Sequence, residues 1–122
     1  MATVPAITEA EWKVMKVLWS KAPQPAYDVV LALEDSEHWH PNTVKSLLTR
    51  LREKGVLGTK KYKNLFLYYP LIEEKEYLQN ASDSFLDRFF AGSAKSLLVH
   101  FAERQKLSAE YWDELRRILK KK

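Results

Sequence analysis

The chain has 122 residues, 46% of them hydrophobic and 30% charged, which is enough for one domain, or for two small pieces sharing a core, and too apolar for a disordered tail. It contains no cysteine, which excludes a disulfide framework, a thiol nucleophile and a cysteine-based metal site. Its formal charge is +4, no apolar run approaches a membrane span, and the opening MATVPAIT lacks the basic start and long apolar core of a signal peptide, so the expected setting is the cytoplasm, away from any membrane.

Thr8-Glu-Ala-Glu11 reads as a capping box, with Thr8 as N-cap and Glu11 reaching back from the third helical position. The helix that follows has Trp12, Met15, Val17, Leu18 and Trp19 on its apolar side. It is expected to stop between Ser20 and Ala22, because Pro23 and Pro25 cannot continue it. A second helix is expected from about Ala26 to Asp35, with Val29, Val30 and Leu33 inward.

The third helix is HPNTVKSLLTRLREKG, His40 to Gly55. Val44, Leu47, Leu48 and Leu51 fall at i, i+3, i+4 and i+7, a stripe that faces a core. The opposite arc holds Asn42, Thr43, Lys45, Ser46, Thr49, Arg50 and Glu53, mostly short hydrogen-bonding groups and long cations rather than the Glu/Lys mixture of a solvated face. Gly55 stands where a helix C-terminus favours a residue with positive φ.

Past Gly55 the period becomes strand-like. Val56 to Tyr62 and Leu65 to Tyr69 are β-rich runs joined by the two-residue turn Lys63-Asn64, in which Asn64 is expected to take the positive φ. From His40 to Asn64, seven lysines and arginines oppose only Glu53, so all the net positive charge of the chain lies in this window. A localised basic patch on a folded scaffold is the footprint of a phosphate-backbone binder, although a solvated basic face has the same composition. Three helices followed by a hairpin is the order of a winged helix-turn-helix, in which the third helix enters the major groove and the wing lies on the neighbouring backbone.

Residues 72 to 122 read as helix alone: Glu73 to Phe90, Ser93 to Phe101, and a last helix capped by Ser108. The fold class is therefore mainly α with a small β-hairpin: a winged helix over residues 1–71 and a helical dimerisation region over 72–122. The simplest way to bury Phe85, Phe89, Phe90 and Leu97 is against a second copy, and Phe101, Trp112 and Leu115 belong to the same apolar set. A homodimer also suits DNA, since two recognition helices then meet two half-sites one helical turn apart.

Within the third helix, base-edge reading is assigned to Asn42, Thr43, Lys45 and Ser46, and Arg50 reaches either a guanine edge or a phosphate. Thr49 and the wing cations Lys60, Lys61 and Lys63 suit phosphates. Lysines on a hairpin also protect a strand edge from aggregation, the plainer reading of the wing. His38 and His40 alternate around Trp39, but no third ligand has suitable spacing, and a loop-and-cap role fits better even though Ser or Asp would cap more effectively. Catalysis finds no support: there is no glycine-rich phosphate loop, no metal-ligand cluster and no nucleophile with a base and orienter, so neither an enzyme nor a cofactor is expected.

Ile7-Thr-Glu-Ala-Glu-Trp-Lys-Val-Met15, Asn42-Thr43-Val44 with Leu48-Thr-Arg-Leu51 and Lys54-Gly55, Phe66-Leu-Tyr-Tyr-Pro70, and Gly92-Ser93 with Leu107-Ser108 together resemble the penicillinase-repressor (BlaI/MecI) family, in order and over nearly the whole chain. The resemblance implies a homodimeric bacterial repressor that binds pseudo-palindromic operator double-stranded DNA through a winged helix. A copper-responsive branch carries cysteines in its tail, and this sequence has none. The family also implies an inducing protease that cuts an Asn-Phe bond in the dimerisation part. The corresponding position is His100-Phe101, where histidine replaces the asparagine. Two other functions are compatible with the residues: a winged helix used for protein-protein contact, and a regulator gated by a ligand held in an apolar pocket.

Overall fold

The computed structural model describes residues 4–120. The elements run α1 (Glu9–Ser20), β1 (Gln24–Pro25), α2 (Ala26–Glu37), α3 (Pro41–Glu53), β2 (Leu57–Tyr62), β3 (Leu65–Pro70), α4 (Glu74–Phe90), α5 (Ala94–Glu103) and α6 (Ala109–Lys120). They divide into two compact units between Ala81 and Ser82, so the first two turns of α4 belong with the winged helix.

Local chemistry sets the boundaries. The Thr8 hydroxyl accepts from the Glu11 N–H at 3.1 Å while the Thr8 N–H donates to Glu11 Oε1 at 2.8 Å, the reciprocal capping box expected at the start of α1. α2 runs on to Glu37 and ends where His38 turns left-handed at φ 56°. The sheet is antiparallel in the order β1-β3-β2, with Gln24 opposite Tyr68 and Leu57 opposite Pro70. The expected two-stranded hairpin is thus a three-stranded sheet. The added strand is two residues long and contains a proline, too short for any periodicity to reveal.

The core of the first unit is Val14, Met15 and Leu18 from α1, Val29 and Leu33 from α2, Val44, Leu47, Leu48 and Leu51 from α3, and Val56 and Leu57 at the start of β2. At about 25 cal/mol for each Å² of apolar surface removed from water, this junction of three helices and a sheet is the main source of the unit's stability. Beside it, Trp12 and Trp19 meet edge-on with ring centroids 5.2 Å apart, and both approach Tyr77 of α4, at 5.6 and 6.1 Å. The Trp19 indole N–H donates to the Ile72 carbonyl at 2.9 Å, fixing where the chain leaves the sheet.

In the second unit the Ser93 hydroxyl caps α5 by accepting from the Ser96 N–H at 3.1 Å. Phe85, Phe89 and Phe90 form a cluster with centroids 5.1 and 5.8 Å apart. No described residue from Ser82 to Lys120 is buried.

Candidate nucleic-acid interface

α3 is held at both ends by side chains and backbone that leave its outer face clear. At its start, His40 Nδ1 accepts from the Asn42 N–H at 3.0 Å, which requires an unprotonated Nδ1. Pro41 follows at the first helical position, where no N–H is needed and φ is already helical. His40 therefore does cap the helix. At the other end the Val56 N–H donates to the Leu51 carbonyl and the Gly55 N–H to the Arg52 carbonyl, each at 3.0 Å, with Gly55 at φ 81°. This is a Schellman motif, and only glycine adopts its C′ conformation without strain.

Lys54 adds a long-range tie. Its Nζ donates to Glu11 Oε1 at 2.5 Å and to the Ala6 carbonyl at 3.0 Å, joining the end of α3 to the start of α1. The Glu11 side chain is wholly buried, and its Oε2 has no hydrogen-bond partner. Burial pushes its carboxyl up, but the Lys54 hydrogen bond, the Thr8 backbone N–H and the Lys54 charge outweigh that and hold it below its ordinary value.

With Val44, Leu47, Leu48 and Leu51 inward, the structure exposes Asn42, Thr43, Lys45, Ser46, Thr49 and Arg50 on the outer side of α3. Asn42, Lys45, Ser46, Thr49 and Arg50 line one shallow concavity, and Thr43 stands outside it. The Thr49 hydroxyl donates to the Lys45 carbonyl at 3.0 Å, so in the free protein its proton is turned back onto its own helix. Two cations, an amide and two hydroxyls on one rigid surface offer donors matched to phosphates and to purine edges.

Lys60, Lys61 and Lys63 are exposed around the wing, apart from that concavity. Strand alternation places Lys61 on the core-side face beside its partner Phe66, and Lys60 on the outer face opposite Leu67. The positive φ of the turn falls on Lys63, at 56°, not on Asn64 as expected. The turn uses its first residue for the left-handed conformation, and the Lys63 ammonium lies 5.5 Å from the Tyr62 ring centroid.

The remaining sequence-predicted positions lie in the second unit. Phe85, Phe89 and Phe101 are exposed, and Phe90, Leu97, Trp112 and Leu115 are half-buried. His100 and Phe101 sit inside α5, with their rings 5.7 Å apart. Among the described residues no group of three or more potential ligands gathers around His38 and His40. Sequence reasoning missed the Lys54–Glu11 tie, whose partners lie 43 residues apart. The one available hint was a buried-side glutamate in a capping box.

The penicillinase repressor family model matches residues 7–121. The chain is 36% identical over 116 residues to the methicillin resistance regulatory protein MecI of Staphylococcus aureus, covering 95% of this chain and 94% of that protein. It is 38% identical over 119 residues to the penicillinase repressor of Bacillus licheniformis, covering 98% and 93%. The solution structure of the DNA-binding domain of the repressor BlaI aligns with a TM-score of 0.56 at 36% identity, covering 63% of this chain and 94% of that one. The B. licheniformis BlaI monomeric form in complex with the blaP half-operator aligns with a TM-score of 0.55 over the same shares.

Proposed function

The chain belongs to the penicillinase repressor family, and from that premise we propose that it is a homodimeric transcriptional repressor, not an enzyme, whose α3 reads a pseudo-palindromic operator. The observation that carries the proposal is the division of α3. Four aliphatic side chains anchor one side in the core, while Asn42, Lys45, Ser46, Thr49 and Arg50 share the outer surface. A relative at 36% identity has its structure recorded on a half-operator, which supports the same docking of this winged helix. Asn42, Thr43, Lys45 and Ser46 contact base edges, Arg50 contacts a guanine or a phosphate, and Thr49, Lys60, Lys61 and Lys63 contact phosphates.

The apolar surface of the second unit supports the dimer. Phe85 and Phe89 are 44% and 61% exposed in the single chain, surface that pairing with a second copy would remove from water. Separating that unit from the winged helix would end repression by abolishing linkage between the two half-sites. The family's cleavage position falls at His100-Phe101 inside α5, so an inducing protease has to unwind the last turn before it can cut. The test is enrichment of a duplex from a randomised pool by the full-length chain. Enrichment of a two-fold symmetric sequence, lost with Asn42→Ala and Lys45→Ala, is the expected result. Recovery of no sequence above background would remove the proposal.

A further inference from the structure

We propose that the wing tip is an apolar wedge for the DNA minor groove, with Tyr62, Leu65 and Phe66 packing on sugar edges while the flanking lysines hold the phosphate rims. The inference rests on the DNA-binding reading above and adds a second contact of different chemistry. Tyr62, Leu65 and Phe66 are 55%, 56% and 58% exposed, an unusual density of large apolar groups at the end of a two-stranded ribbon. They occupy both faces. Tyr62 and Leu65 are direct cross-strand partners next to the turn, on the outer face, and Phe66 lies on the other face beside Lys61, beyond the reach of the core.

Charge identifies the occupant. The segment from Lys54 to Ile72 contains no carboxylate, and among the described residues none pairs with Lys60, Lys61 or Lys63. A second copy of the chain would set lysine against lysine, whereas a polyanion with apolar walls complements both kinds of group. The minor groove has that structure. It is about 6 Å wide, narrow and strongly negative in A·T tracts, and it accepts Phe and Leu wedges alongside cations. Once α3 occupies a major groove, the neighbouring ridge of phosphates and the minor groove beyond it are the next DNA surface that a wing meets.

The wedge makes a claim that the lysines alone do not: preference for base pairs lacking the guanine 2-amino group in the stretch under the wing. The test uses the full-length chain and a duplex it enriches from a randomised pool, rebuilt with A·T, I·C or G·C pairs in the segments flanking the α3 contacts. Inosine presents the minor-groove edge of A·T and the major-groove edge of G·C, so the protein stays unchanged while one groove is altered. A·T and I·C duplexes are expected to bind alike and G·C roughly tenfold more weakly, as burial of two half-exposed side chains would give. The Leu65→Ser/Phe66→Ser variant, with unchanged thermal melting, is expected to bind all three alike and still to prefer the enriched major-groove bases. Equal binding of I·C and G·C by the unaltered chain, or a variant that keeps the discrimination, would overturn the wedge. So would wing variants that lower self-association in the absence of DNA. Failure to enrich any duplex would instead remove the underlying DNA-binding reading.

Discussion

Lys54 Nζ, at the C-cap of α3, lies 2.5 Å from the wholly buried Oε1 of Glu11 in the capping box of α1. One carboxylate thereby closes the start of the first helix and anchors the end of the third. The pair is asymmetric. Lys54 is 30% exposed and can turn to water, whereas Glu11 has nowhere to go and already leaves Oε2 without a partner. Lys54→Met is therefore expected to cost about 3–5 kcal/mol, because it leaves a buried charge uncompensated. Glu11→Gln, which keeps the reach to the Thr8 N–H, is expected to cost about 1–2 kcal/mol. Urea unfolding of the two variants checks the order; equal costs would contradict it.

The same pair fixes the sign of the acid response. Because the Glu11 carboxyl is held below its ordinary value in the folded chain, its contribution is fully present above the ordinary carboxylate range and is lost as pH falls through the lowered value. In Lys54→Met only burial and the Thr8 bonds remain, and burial pushes the carboxyl up. Thermal melting followed across the carboxylate range should show the deficit of Lys54→Met shrinking as the pH is lowered. A deficit that does not change with pH would separate the stability of the pair from the ionisation of Glu11.

Gly55 offers a local test of how α3 is terminated. A Cβ there meets nothing within 4 Å, so any cost of substitution comes from φ 81° alone. Gly55→Ala is expected to lose about 1 kcal/mol, and Gly55→Asn less, since asparagine tolerates the left-handed region. Equal losses measured by denaturant midpoint would mean that conformation is not what glycine supplies.

Much of this was legible from residue pattern. The i, i+3, i+4, i+7 leucine stripe named the buried side of α3 correctly, because helix period and burial are tied together by geometry, and Gly55 marked its end. Thr8 and Glu11 marked the start of α1 for the same local reason. What escaped depends on tertiary neighbours. β1 exists only because Gln24 and Pro25 lie against Tyr68 and Leu67. The Lys54–Glu11 bond joins residues that only the packed fold brings together. The left-handed turn residue is Lys63 rather than Asn64, and propensity favoured the wrong member of the pair.

Base contacts and backbone contacts should separate by mutation. Asn42→Ala or Lys45→Ala is expected to lose about 1–3 kcal/mol on an enriched duplex and to blur preference at particular base pairs. Lys61→Ala and Lys63→Ala should instead weaken enriched and shuffled DNA alike, each reducing the salt slope by about 1. Fluorescence anisotropy on both duplexes distinguishes the classes; equal losses on both DNAs for every variant would take base reading away from α3.

Dimer linkage makes its own demand. Phe85→Asp/Phe89→Asp places charge on the exposed aromatic surface of the second unit without touching a residue of the winged helix. The variant is expected to be monomeric by sedimentation and to lose about 10²–10⁴ in affinity for the full operator while keeping its half-site affinity. A monomer that still binds the full operator as tightly as the unaltered chain would contradict linkage.

On the reading proposed above, the outer face of α3 and the basic wing together read double-stranded DNA. The most direct test of that reading is the affinity of the full-length chain for an enriched duplex and for a shuffled one, measured across potassium chloride concentrations. Log affinity is expected to fall steeply and linearly with log salt on both DNAs, at about 0.9 per phosphate neutralised, with the enriched duplex held at least about 10³ more tightly. A flat salt response with equal affinity for the two duplexes would contradict it.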